Sequence, residues 1–170
     1  MTEKSKRYFL KAKESRILLT EASKKLKTDL ELLLKGKKTV ETFRTESVEI
    51  FLLDGKPVLF KLDGDIFPTL KFDEYFTLAP RVVVDMGAVP YVCKGANVMA
   101  PGIRRIEGQF DKDSIVSVVD EKHGRAIAVG QIIYDAEEVK NIRQGMVVKN
   151  VHYVGDGTWN LLKELASRVQ

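Results

Sequence analysis

The chain has 170 residues, 44% hydrophobic and 31% charged, with 28 Lys+Arg against 24 Asp+Glu. This composition excludes a disordered chain, and the length allows one medium domain or two small ones with cores of their own. The single cysteine, Cys93, excludes an intrachain disulfide, no apolar run approaches the ~20 residues of a membrane span, and the charged segment 1–13 lacks the apolar core of a signal peptide, so a soluble, cytoplasmic protein is expected.

Residues 1–38 carry 12 Lys+Arg and 5 Asp+Glu. Within them Leu18, Ala22, Leu26, Leu30, Leu33 and Leu34 recur at three- and four-residue steps, which predicts one amphipathic helix over residues 15–34, capped by Ser15 and closed by Gly36. Lys24, Lys25 and Lys27 fall mostly off that stripe. A basic face of this kind attracts phosphate without sequence preference, but composition alone fits a solvated helix surface better. Residues 39–78 reverse the balance, 4 against 8. Two apolar runs, 48–53 and 58–62, flank Asp54-Gly55, a strong hairpin signal, and a second turn follows at Asp63-Gly64. Pro68 then opens Thr69-Leu70-Lys71-Phe72. An N-terminal α+β domain over residues 1–78 is expected.

Pro80 marks a change of character. Short β runs follow at 82–84, 114–119, 126–133 and 146–154, with Lys122-His123-Gly124 as a hairpin turn. Asp135 reads as the N-cap of a short helix that Gly145 ends. This stretch is nearly neutral, with 12 Lys+Arg against 11 Asp+Glu over residues 79–170. Short strands, turn signals and one or two small helices predict a small, partly closed mixed β-barrel over 79–156, then a C-terminal helix over 157–170.

The run Val84-Asp85-Met86-Gly87-Ala88-Val89-Pro90-Tyr91-Val92-Cys93-Lys94-Gly95-Ala96-Asn97-Val98-Met99-Ala100-Pro101-Gly102-Ile103 reads as strand, Asp-x-Gly-Ala, short helix, Gly-Ala, strand, Pro-Gly. It resembles the opening of a PUA domain, and Val129-Gly130 resembles the Val-Gly step of that domain. Val151-His152-Tyr153-Val154-Gly155-Asp156-Gly157-Thr158-Trp159 resembles the ending of one branch. That branch is the malignant-T-cell-amplified-sequence family, with its fungal translation-machinery-associated relatives and archaeal homologues. Phe67-Pro68-Thr69-Leu70 resembles a Tyr-Pro-Thr-Leu step in the pre-PUA domain of the same family. The likeness spans roughly residues 40–160 and fades before Val40, which points to an archaeal-type member. It implies a non-enzymatic RNA-binding protein of translation. The expected partners are tRNA acceptor ends, rRNA and the small ribosomal subunit, in initiation, reinitiation or recycling. It also implies a SUI1-domain protein as a partner class.

The resemblance places RNA at Lys94, Gly95, Ala96, Asn97 and Val98. Lys94 could meet phosphate, Gly95-Ala96 removes bulk where a backbone must approach, and main-chain N–H groups could bind phosphate or base edges. Spacing alone would make this a tight turn with Gly95 at positive φ. His152 and Tyr153 offer rings to an unpaired base, although neighbours on a strand point opposite ways, so one of the two at most should touch RNA. Arg104 and Arg105, read as a loop pair, suit a phosphate clamp or are plain surface arginines. Trp159 reads as a packing anchor and Asp85 as a cap.

Catalytic signals are poor. His123 and His152 have no metal-ligand spacing with Cys93, which sits in an apolar turn, and no nucleophile elbow or P-loop is present. No metal and no cofactor are expected. Two other functions compete with a translation factor: a non-catalytic helper in tRNA or rRNA modification, and a protein-interaction module that uses the PUA fold as scaffold.

Overall fold

The computed structural model describes residues 4–167. It resolves into two compact units, one of residues up to Tyr75 with those from Leu162 onward, the other Phe76–Leu161.

The first unit opens with β1 (Lys6–Phe9), an exposed strand that pairs antiparallel with β2 (Val40–Arg44). Neither strand shows the apolar alternation that would have announced it. Between them the expected single helix is two. α1 (Ala12–Leu26) starts three residues earlier than Ser15, with the Glu14 side chain accepting from the Lys11 N–H. It ends where Lys27 turns left-handed at φ 55° and the Thr28 N–H returns to the Ser23 carbonyl. The Asp29 side chain then caps α2 (Leu30–Leu33). A helical period ran through this break because Leu30 is fully buried and continues the apolar stripe, while the preference of Asp for an N-cap decided the geometry.

The meander continues with β3 (Glu49–Leu53), β4 (Lys56–Leu62) and β5 (Asp65–Pro68) in the order β1-β2-β3-β4-β5. Both connections carry two successive residues at positive φ, Asp54 and Gly55, then Asp63 and Gly64, as two-residue hairpins require to match strand twist. Lys25 of α1 lies over the Phe67 ring at 5.4 Å. Beyond β5, buried Thr69 donates its hydroxyl to the Pro57 carbonyl, 2.8 Å, before α3 (Asp73–Phe76).

The second unit is a curled mixed sheet, ordered β7-β11-β10-β9-β6-β8. Its strands are β6 (Arg81–Val84), β7 (Val98–Met99), β8 (Ile103–Glu107), β9 (Ile115–Asp120), β10 (Ala126–Ile132) and β11 (Met146–Tyr153). β6 runs parallel to β9, and the other pairs are antiparallel. The short helices α4 (Val89–Val92) and α5 (Ala136–Val139) interrupt the strands, with a 3-10 turn over Ala100–Gly102. Valines dominate a core that includes Val82, Val84, Val116, Val118, Val147 and Val148. α6 (Gly157–Ser167) follows β11. The end expected for this helix at residue 170 lies outside the described residues.

Candidate nucleic-acid interface

The site is built from the turn after α4 and the end of β11. Asp85 accepts from the Ala88 N–H at 2.8 Å and sets the start of α4. After α4 the chain coils back on itself. The Lys94 and Ala96 N–H groups donate to the Tyr91 carbonyl, and that of Gly95 to Val92. The expectation of free N–H groups at these three residues is therefore corrected, since the turn consumes them. What the turn presents is the exposed Lys94 ammonium, the bare Cα of Gly95 at φ 97°, the small Ala96 and the exposed Asn97.

β11 fixes that turn. The Asn150 side-chain amide donates to the Val92 and Ala96 carbonyls, each at 3.0 Å. The Asn150 N–H donates to the Asn97 side chain at 2.9 Å. Tyr153 is half-buried beneath the turn, so close that a Cβ on Gly95 would lie 3.1 Å from its ring. Turn and strand thus form one surface.

Two expected contacts move inside. Val98 is buried, so its side chain belongs to the core and only its main chain pairs with β11. His152 is fully buried, and its Nδ1 meets both Asp156 oxygens at 2.9 and 3.0 Å. Strand alternation turns His152 inward and leaves Tyr153 at the surface, so the imidazole holds the strand end and does not offer a ring to RNA. Burial works against the Asp156 carboxylate. The bonds from His152 and from the Trp159 and Tyr153 N–H groups outweigh it and hold its pKa below the usual value.

Arg104 and Arg105 lie in β8 and not in a loop. Register slips between Val83 and Val84, so Arg104 has no partner across the ladder. Such a bulge lets both adjacent arginines stay exposed. Arg104 pairs with Glu121 and Arg105 with Glu107. Hydrogen bonds from Arg105 and Arg81 lower the Glu107 pKa. β8 pairs with β6, whereas the turn at residues 94–97 is held by β11.

Sequence reasoning missed Tyr91 and Asn150. Tyr91 is 69% exposed on α4, three residues before Lys94; an aromatic one helical turn before Lys-Gly was the available signal. Asn150 gave none, because its role depends on pairing across the fold. Cys93 is half-buried and its thiol is pushed up by burial. Among the described residues no group of three or more His, Cys, Asp or Glu could hold a metal, and no helix is long and apolar enough to cross a membrane.

A PUA-domain family model matches residues 80–154, and one described as a domain of unknown function, DUF1947, matches residues 6–73. An uncharacterized protein of Methanocaldococcus jannaschii is 38% identical, over 91% of this chain and 96% of its own. Malignant T-cell-amplified sequence 1 of Danio rerio is 31% identical over 68% and 67%. Translation machinery-associated protein 20 of Saccharomyces cerevisiae is 29% identical over 82% of each. A PUA-domain structure from Aeropyrum pernix, solved as a tartrate complex, superposes at TM-score 0.82 with 29% identity, covering 95% of this chain and 93% of that one.

Proposed function

Because the chain belongs to the PUA-domain family that includes the malignant T-cell-amplified-sequence and translation machinery-associated proteins, we propose that it is an RNA-binding accessory factor of translation. It acts on the small ribosomal subunit or at the acceptor end of tRNA, in initiation, reinitiation or recycling, without catalysis of its own.

The observation that carries this reading is the surface of Lys94, Gly95, Ala96 and Asn97 backed by Tyr153 and pinned by Asn150. Gly95 and Ala96 let a sugar–phosphate backbone come close, Lys94 meets one phosphate, and the exposed Tyr91 ring stacks on an unpaired base. The near-neutral balance of residues 79–170 means that affinity rests on shape and a few phosphate contacts, with a correspondingly shallow salt dependence.

Crosslinking in cells followed by sequencing of the bound RNA tests the reading. The expected result is enrichment of small-subunit rRNA or tRNA acceptor ends. Enrichment of RNA modification sites would favour the helper reading, and recovery of no RNA would favour the protein-interaction module. A SUI1-domain protein is the partner class to look for among co-purifying proteins.

A further inference from the structure

A second feature of the PUA unit is not used by the turn surface. Along β8, the 3-10 turn, α5 and the start of β11 runs an open groove of about 600 Å³, within the size range of small-ligand clefts. Ile103, Ile106, Phe110 and Ile142 give it an apolar floor, and each packs against the core on its other side. Its rim holds Arg104, Arg105, Lys140 and Arg143, and among the described residues no acid lines it. In a stretch with nearly equal numbers of acids and bases, that segregation of sign is the notable property.

The partners of these cations leave them available. Glu121, Glu107 and Glu137 pair with Arg104, Arg105 and Lys140 from outside the groove. Such exposed pairs are weak, and a phosphate can replace them. Arg143 is exposed and has no ion-pair partner among the described residues.

We propose that this groove is a second RNA-binding site, which takes one unpaired nucleotide with its base on the apolar floor and its phosphate on the arginine rim. An anion with a flat apolar body fits both halves of the groove, whereas a bare phosphate would leave the floor unused. Three of the four cations are arginines, whose planar guanidinium binds phosphate bidentately and stacks on bases. That chemistry favours RNA over an acidic peptide, which lysines would serve equally well. The site shares no lining residue with the 94–97 turn or Tyr153, so one RNA could engage both.

The test is fluorescence anisotropy with an end-labelled single-stranded RNA hexanucleotide at two salt concentrations, with thermal melts of every variant. Arg143→Glu should weaken binding about tenfold, by placing repulsion where a phosphate sits, while Arg143→Lys stays within about twofold because one charge contact survives. Lys140→Glu should act in the same direction as Arg143→Glu. Lys94→Ala combined with Arg143→Glu should multiply the two losses, as independent sites do. Arg125→Glu, an exposed cation outside the groove, should bind like the parent. If Arg143→Glu and Lys140→Glu bind like the parent while Lys94→Ala loses affinity, the groove is wrong and the turn surface stands. Equal losses in Arg125→Glu would reduce the effect to net charge and overturn the site. Competition by a poly-glutamate peptide that beats RNA and depends on Arg143 would assign the groove to a protein partner. A parent chain that binds no RNA overturns both this site and the function proposed above.

Discussion

Gly95 is held by two constraints at once. Its φ of 97° is a conformation L side chains rarely adopt, and a Cβ would press on the Tyr153 ring at 3.1 Å. Gly95→Ala should therefore lower stability by about 1–2 kcal/mol as well as binding, which makes it a poor probe of RNA contact. Lys94→Ala is the clean one, since Lys94 is exposed. It should leave the melting temperature unchanged and reduce the salt slope of tRNA acceptor-stem binding by roughly one unit. An unchanged slope would remove Lys94 from the interface. Asn150→Ala separates positioning from contact. It strips the donors from the Val92 and Ala96 carbonyls, which should cost about 2 kcal/mol. Hydrogen exchange should then rise at residues 94–97 while the amides of β9 and β10 stay protected. The tight turn with Gly95 at positive φ was legible from spacing, and alternation foretold that His152 and Tyr153 would part company. Which of the two went inward was not legible, because it depended on the Asp156 carboxylate waiting beneath the strand end.

Between elements, Asp156 joins β11 to α6, accepting from His152 Nδ1 and from the Tyr153 and Trp159 N–H groups. Its folded pKa lies below the unfolded value, so the carboxylate contributes its full stability above the ordinary Asp value of about 3.9. It loses that contribution as pH falls through the lowered folded value. Thermal melts of the parent should fall as pH drops below about 4 toward the lowered folded value. Asp156→Asn should be less stable at neutral pH by about 1–3 kcal/mol and should show a shallower acid limb. A parallel pair of curves would exclude the linkage. Gly130 does related work inside the sheet. Register slips between Val129 and Gly130 against β11, and a Cβ there would run into Val148 Cγ1 and come within 2.8 Å of the Lys149 carbonyl oxygen. Gly130→Ala is expected to lower stability by about 3 kcal/mol, read as a shift in the urea midpoint. A neutral result would mean that β11 can move aside. The hairpins at Asp54-Gly55 and Lys122-His123-Gly124 were legible because their turn chemistry is local. β1, all four of its residues exposed, and the break at Lys27 were not, since neither leaves a mark on apolar periodicity.

Across the molecule, the α+β character of the N-terminal half and the PUA character of the rest could be read from turn residues and motifs. The order of strands could not. It is set by non-local pairing, and β6 finds its neighbours in β8 and in the parallel β9. The same topology has a consequence for synthesis. Among the described residues β7 pairs only with β11, through Val98↔Val148 and Met99↔Met146, and Asn150 of β11 pins the turn at residues 94–97. While the chain emerges from the ribosome, β6, β8, β9 and β10 can already pair with one another. The turn that carries Lys94 has only its local bonds to Tyr91 and Val92 until β11 arrives. A chain cut short before Asn150 would keep most of its sheet and lack its proposed RNA surface. RNA affinity at this surface would thus arise only after Asn150 has been added to the chain.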